Sequence, residues 1–242
     1  MSNRVEAVIF DWGGTLTPWH DIDHVDQWRH YARAYCQDDS GECEQLARRL
    51  AESELRRWRQ HDGSGGSDGT GSLDHIFEAE GIDIDSPEHA RALTAYLSGW
   101  DPHTLAEPDA VPTLTSLREM GMSIGVLSNT LWPRWHHESV FARDGLLDLI
   151  DAGVYSSEIP WAKPHASAFA TALEALGVES SRAVFVGDRP WDDIHGAQAA
   201  GMRAIFIPHS TLGDQTVSVE VTPDAVAVRL LDIVGIVRAW NG

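Results

Sequence analysis

Lysine occurs once in these 242 residues, at position 163. Cations are scarce throughout: 18 lysines and arginines stand against 37 aspartates and glutamates, a formal net charge of −19. A chain this acidic lacks the basic footprint that a phosphate backbone requires, so nucleic acid is excluded as an expected partner. An anionic substrate would depend on a few local cations, which singles out Lys163 before any motif is considered. Cysteine is nearly absent too. Cys36 and Cys43 have no metal-binding spacing and build no disulfide framework, so reduced thiols are expected. No apolar run approaches the roughly 18 residues of a membrane span. No basic-then-apolar leader precedes the first apolar run, and a cytoplasmic location is expected. The length suits one large domain or a core with a smaller insert.

The first apolar run is the most telling segment present. Residues 5–15 read VEAVIFDWGGT, in which Val5, Val8, Ile9 and Phe10 end in one carboxylate, Asp11, followed by a Gly-Gly-Thr turn. This pattern predicts a buried strand that delivers an acid to the rim of a sheet beside bare backbone. In open α/β sheets, ligands bind at the carboxyl ends of strands.

From about residue 108 one unit recurs: an amphipathic helix, a glycine, then a short apolar strand. Leu114, Leu117 and Met120 precede Gly121 and SIGVLSNT. Phe169, Leu173 and Leu176 precede Gly177 and AVFVGD. Ile194, Ala197 and Ala200 precede Gly201 and AIFIP. Apolar spacings of three and four, closed by glycine, predict helices with their C-terminal stops. Apolar strands alternating with such helices predict an α/β fold with a parallel sheet covered on both faces. A further strand is expected near 151–159, and a last helix from Thr222-Pro223 with Val226, Leu230, Ile233 and Val237 facing the core. Residues 17–105 read as purely helical. Val25, Trp28, Ala32 and Tyr35 form one stripe, and Ala47, Ala51, Leu55 and Trp58 a second. Ser86-Pro87 reads as a helix start leading to Leu93, Tyr96 and Leu97. The Gly/Ser-rich stretch 62–72 predicts a loop.

Polar groups fall where strands end and helices begin: Ser128 and Asn129 after IGVL, Lys163 before Pro164, Asp188 after AVFVG, then Asp192 and Asp193. A parallel sheet brings these to one edge. At ~5 Å and an effective dielectric of ~20, Asp11 and Asp188 repel by about 3 kcal/mol. A hard cation with oxygen ligands, Mg²⁺ above all, offsets this, and the Gly13 carbonyl could serve as a further ligand. A carboxylate such as Asp11 can attack a phosphoryl group and form an aspartyl-phosphate that water then hydrolyses. Lys163, the Ser128 hydroxyl and backbone N–H groups are candidate stabilisers of the charge that develops. Asp192 and Asp193 could equally complement the dipole of the helix they open. Among ten tryptophans, Trp12, Trp132, Trp135, Trp161 and Trp191 flank these motifs. With Arg134 as an anion clamp, they could wall a substrate site.

The segments FDWGGTLT, VLSN, AKP and VGDRPWDD, in this order, resemble the four motifs of the haloacid dehalogenase superfamily of hydrolases. The resemblance implies a Rossmann-like core over 1–16 and 106–242 with a helical cap over 17–105. It implies a Mg²⁺-dependent phosphohydrolase acting on a small anionic, phosphorylated substrate. Asp11 would be the nucleophile and Ser128 the phosphate-binding hydroxyl, with Asn129 and Arg134 also on the substrate side. Lys163 would be the steadying cation, and Asp188 a metal ligand supported by Asp193 or Asp192. One position departs from the pattern. Phosphatases of the superfamily carry a second aspartate two residues after the nucleophile as general acid/base, and here that position is Gly13. General acid–base catalysis contributes typically ~10²–10⁴-fold. His20, Asp21, Asp23 and His24, at the base of the cap, are candidates to replace it. Hydrolytic dehalogenases also lack the second aspartate, and a catalytically weak phosphate- or Mg²⁺-binding relative is a third reading. Asp11-Trp12 also resembles phosphonoacetaldehyde hydrolases, but their Schiff-base lysine has no counterpart in this cap.

Overall fold

Six short strands, all parallel, form the sheet of the computed structural model, which describes residues 4–37, 41–60, 71–208 and 221–242. In chain order they are β1 (Ala7–Phe10), β2 (Ser123–Ser128), β3 (Ala152–Tyr155), β4 (Ala183–Gly187), β5 (Arg203–Phe206) and β6 (Ala225–Val226), arranged spatially 3-2-1-4-5-6. The order reverses direction at β1, so the crevice at a topological switch point opens beside Asp11. Between β1 and β2 the chain forms α1 (His24–Cys36), α2 (Gly41–Gln60), α3 (Leu73–Ala79), α4 (Pro87–Gly99) and α5 (Ala110–Glu119). After β2 come α6 (Arg134–Arg143), α7 (Ala166–Leu176), α8 (Gly196–Ala199) and α9 (Asp232–Asn241).

Strand alternation divides the core in two. Val8, Phe10, Ile124, Val126, Val184 and Val186 face the side that Leu114 and Leu117 of α5 and Ile233 and Val237 of α9 cover. Ala7, Ile9, Leu127 and Phe185 face the other side, covered by Phe169 and Leu173 of α7 and by Ala197. Strands buried on both faces explain why these runs read as continuously apolar. Helix α7 lies close on the sheet: a Cβ at Gly125 would come within 2.9 Å of a Leu176 methyl and 3.3 Å of Ile9.

The helices inserted after β1 have their own interior. Trp28, Tyr31 and Ala32 of α1 meet Leu46, Ala47 and Leu50 of α2, Phe77 of α3 and Tyr96 of α4, all buried. Trp28 stacks on Tyr96 at 4.2 Å between centroids, and Tyr31 on Phe77 at 4.9 Å. Among the described residues this segment contains no strand of the sheet, as expected. Ser86 caps α4 by accepting from the His89 N–H at 3.2 Å, with Pro87 in the first turn. The two connections to the sheet are tied together: Glu107 N–H donates to Leu16 O at 2.9 Å and Thr17 Oγ1 donates to Leu105 O at 2.9 Å.

The tail differs from expectation. Ala225–Val226 pairs with β5 as a sixth strand, Val226 is 55% exposed, and the last helix begins at Asp232 rather than at Thr222-Pro223. The Asp232 carboxylate accepts from the N–H groups of Val228 and Arg229, at 3.0 and 2.9 Å, and the side chain of Asp224 accepts from Ala204 N–H at 2.8 Å. The first contacts satisfy donors ahead of the helix, and the last holds the strand at the sheet edge. Leu230, Ile233 and Val237 are buried as expected. Most of the predicted 62–72 loop lies outside the described residues. No helix among the described residues is long and apolar enough to cross a membrane.

The close approach at Gly125 gives a stability test. Gly125→Val adds three carbons where Leu176 and Ile9 already stand, an overpacking worth about 1–3 kcal/mol. The urea midpoint is expected to fall with an unchanged m-value.

Candidate active site

The strand register brings the predicted groups to one edge. Phe10 is level with Val126 of β2 and Val186 of β4. Asp11 therefore stands one step beyond the last paired residue of β1, and Ser128 and Asp188 stand two steps beyond the level of Phe10. The Asp11 N–H still donates to Val186 O at 2.8 Å, which fixes the residue at the strand tip. Beyond it the chain folds back: Leu16 and Thr17 N–H donate to Trp12 O at 2.9 and 3.1 Å, and Gly14 N–H donates to Thr17 O at 2.8 Å. Gly14 has φ +87°, and a Cβ there would stand 2.4 Å from an Asp188 carboxylate oxygen. Only glycine satisfies both the backbone sign and the approach.

Lys163, 2% exposed, lies between two carboxylates: Nζ donates to Asp11 Oδ1 at 2.6 Å and to Asp193 Oδ1 at 2.7 Å. Burial works against its charge, but the Asp11 and Asp193 carboxylates outweigh that and raise its pKa above the usual lysine range. Asn129 fixes its backbone, donating from Nδ2 to Lys163 O and accepting from Lys163 N–H at Oδ1, both at 2.8 Å. Asn129, expected on the substrate side, is thus a brace for the lysine.

Asp193, not its neighbour, joins the cluster. Residues Pro190–His195 form a wide π-type turn, and within it the Asp193 N–H donates to Arg189 O at 3.0 Å. Such turns often re-aim side chains at functional sites. Asp193 is fully buried, and its Oδ2 accepts from Arg189 N–H at 2.9 Å. Asp192 instead faces the Arg189 guanidinium at 3.5 Å. Asp11, Asp188 and Asp193 each offer an oxygen within 4.8 Å of the others. Both Asp188 oxygens are buried without a hydrogen-bond partner. Burial, then the charges of Asp11 and Asp193, push the Asp188 carboxyl up to about 8. Two orphaned oxygens in an all-oxygen donor set, beside bare backbone at Gly13 and Gly14, fit a hard divalent cation.

The other predicted groups are placed as follows. Ser128 ends β2, buried. Arg134 pairs with Glu158 at 2.6 Å and Glu138 at 3.6 Å, donates to Gly153 O at 3.1 Å, and lies over the Tyr155 ring; none of these contacts is with the triad. Asp23 caps α1, His24 pairs with Glu54 at 3.1 Å, and His20 pairs with His103 at 3.0 Å. Trp161 and Trp191 stack on His165 and His195 rather than meeting each other, and Trp135 is 54% exposed. Trp12 and Trp132 do meet, edge to face at 5.4 Å.

Trp19 and Thr15 escaped the sequence reading; Arg189, beside the fourth motif, reads from sequence as facing the site or as making an outward ion pair. The Trp19 indole occupies the space beside Gly13, 3.5 Å from where a Cβ would stand. The Arg189 guanidinium lies 5.3 Å from that ring, in the field of Asp192, Asp188, Asp11 and Asp193. The hydroxyl of Thr15, the last residue of the turn, is buried without a partner. The Gly-Gly-Thr string marks the turn, but nothing in it signals that a tryptophan four residues later fills the gap.

The haloacid dehalogenase-like hydrolase family matches residues 5–201, so the chain belongs to that family and is a hydrolase. A relative from Methanopyrus kandleri, named glyceraldehyde 3-phosphate phosphatase, is 32% identical over 204 residues, 84% of each chain. In structure the chain resembles a phosphatase of the same family from Thermococcus onnurineus (TM-score 0.66, 23% identity, 96% of this chain and 97% of that one). It also resembles a 2-haloacid dehalogenase from Pseudomonas syringae pv. Tomato DC3000 (TM-score 0.64, 25% identity, 98% and 99%).

Two histidines beside the site give a pH test. Burial, then the neighbouring His136, lowers the His137 pKa to about 3; burial, with Arg143 adding to it, lowers that of His136 to about 4. Both groups are neutral in the fold and protonate near 6.5 once unfolded, so the unfolded chain takes up protons first as pH falls. Their stabilising contribution is complete above pH 6.5 and is lost on acidification toward 4. Between pH 6 and 4, wild type should lose about 1.4 kcal/mol per pH unit more than His137→Gln, measured by urea denaturation at each pH.

Proposed function

We propose that the protein is a Mg²⁺-dependent phosphohydrolase that transfers the phosphoryl group of a small phosphorylated metabolite to Asp11 and then to water. The observation that carries this reading is the buried triad. Asp188 has both oxygens unpartnered beside an aspartate whose other neighbour is the chain's one lysine. Structural carboxylates are hydrogen-bonded when buried, and a pair of orphaned oxygens marks a group kept for a ligand.

The residues divide the work. Lys163 holds Asp11 Oδ1, which fixes the carboxylate and leaves Oδ2 to attack phosphorus. The phosphorus–oxygen bond to the leaving group breaks as the aspartyl-phosphate forms; water then attacks phosphorus and releases phosphate and the free carboxylate. Lys163 and the Ser128 hydroxyl offer positive charge and a donor to the phosphoryl oxygens, preorganised by the Asn129 brace. Asp11, Asp188 and the Gly13 carbonyl would hold the cation, with Asp193 supporting it. Bound there, Mg²⁺ supplies the charge that neutralises the triad and the phosphoryl oxygens. The helices between β1 and α5 act as a cap that closes over this edge and excludes water. Gly13 provides no acid to the leaving group, and with Trp19 beside it, departure relies on the leaving group's own acidity or on water.

A dehalogenase reading has one observation in its favour, the likeness to the Pseudomonas syringae enzyme. It offers no use for Asp188, whose unpartnered carboxylate needs a cation rather than an alkyl halide.

A panel of phosphate esters and acyl phosphates should release phosphate only with Mg²⁺. Chloride release from 2-haloacids without metal would instead establish the dehalogenase. Asp11→Asn should lose at least about 10³-fold in kcat and keep its circular dichroism spectrum. Without substrate, saturating Mg²⁺ should raise Tm, as a ligand at 100 times its Kd stabilises by about 2.7 kcal/mol. Asp188→Asn should abolish that rise, and a persisting rise would place the cation elsewhere.

A further inference from the structure

The helical insert joins the sheet through two connections, one between β1 and α1 and one between α4 and α5. Each carries a histidine that faces the other. His20 Nδ1 lies 3.0 Å from His103 Nδ1, across 83 residues of sequence. The ring planes stand at 89° with centroids 5.2 Å apart, so the two nitrogens meet rather than the ring faces. Two Nδ1 lone pairs do not face each other at this distance with nothing between them. A proton serves, if one ring is the Nδ1–H tautomer. A divalent cation serves as well, with both rings in the Nε2–H tautomer, and neutral imidazole is the commonest metal ligand. Burial, then the facing His20, lowers the His103 pKa, which keeps that ring neutral and able to ligate near pH 7.

The spacing suits a tetrahedral cation. Zn–N bonds of ~2.0–2.1 Å at the tetrahedral angle set two ligand nitrogens roughly 3.3 Å apart and their ring centroids roughly 5.2 Å apart. The centroids already stand at 5.2 Å. The nitrogens need to part by only about 0.3 Å, a turn of side chains of which one, His20, is exposed. Among the described residues, no third side chain of the usual ligand types joins the pair within 4.8 Å, so water completes the shell. Two imidazoles select Zn²⁺, Cu²⁺ or Ni²⁺, whereas the all-carboxylate triad suits a harder ion. The net charge of −19 concentrates cations of any kind at the surface. The position has a mechanical consequence. Glu107 N–H to Leu16 O and Thr17 Oγ1 to Leu105 O already tie the two connections, and His20 and His103 lie further toward the helices. His20 also follows Trp19, whose indole fills the space beside Gly13.

We propose that His20 and His103 form a second metal site, for a borderline divalent cation of the Zn²⁺ class, and that the bound cation fastens the two connections of the insert together. The site is separate from the acidic triad and stands whether or not the phosphohydrolase reading does.

The test titrates Zn²⁺ by calorimetry into the full chain with Mg²⁺ in excess, for wild type, His20→Gln, His103→Gln and, as a control at another exposed histidine, His30→Gln. Wild type and the control are expected to bind Zn²⁺ alike, and His20→Gln and His103→Gln each at least about 10-fold more weakly, because one ligand of a chelating pair is lost. Cu²⁺ at less than one equivalent is expected to show two imidazole nitrogens by electron paramagnetic resonance in wild type and one in either of those variants. Amide hydrogen exchange over residues 17–24 and 101–107 is expected to slow with Zn²⁺ in wild type and to stay unchanged in the two variants. Equal Zn²⁺ affinity in all four proteins overturns the proposal. So does a wild-type Cu²⁺ spectrum with fewer than two imidazole nitrogens, or wild-type exchange that Zn²⁺ leaves unaltered.

Discussion

Three carboxylates and one ammonium share a buried volume, and the geometry of the site follows from how that charge is balanced. Lys163 bonds Asp11 and Asp193 at once, leaving Asp188 outside the ion pair with no donor. At the 4.8 Å that bounds the triad, each pair of carboxylates repels by about 3.5 kcal/mol at an effective dielectric of ~20. One lysine bonds two of the carboxylates but cancels only one charge, so the cluster keeps net negative charge, with Asp188 unpaired. A buried ion cluster of this kind contributes little to stability relative to an apolar core, because desolvation consumes most of the Coulombic gain. Its presence at the switch point of a parallel sheet is explained by chemistry rather than by folding.

The fold holds the cluster through backbone more than through side chains. Asp11 sits at a strand tip anchored to Val186, Gly14 supplies the left-handed turn that lets Asp188 approach, and the π-type turn aims Asp193 inward. Lys163 has no strand of its own and is held by Asn129, at the end of β2, through both of its backbone polar groups. Sheet register therefore sets the spacing of Asp11 and Asp188, and a side-chain amide carries that order across to the lysine.

Much of this was legible in sequence, for identifiable reasons. Strands buried on both faces must be continuously apolar, so their ends stand out, and a carboxylate, a hydroxyl or an aspartate just past each end is conspicuous. A lone lysine is conspicuous by number. Choosing between Asp192 and Asp193 required the turn type, since an ordinary helical start and a π-type turn point adjacent residues in different directions. Val226 read as core because a two-residue strand and a helical turn share too few positions to differ in period. Arg134 and Asn129 were identified as polar groups near the motifs. Their partners, Glu158 and the Lys163 backbone, lie 24 and 34 residues away and leave no local trace.

The shortage of basic residues bears on how such an acidic protein would engage an anion. With a net charge of −19, the long-range field opposes the approach of a phosphate ester, so affinity must come from short range. Lys163 and Arg189 are the cations that the structure sets beside the triad, and a bound cation would add to them. The scarcity of basic residues thus makes the site depend on the few cations that the fold places beside the triad, and on any cation that the carboxylates themselves would hold.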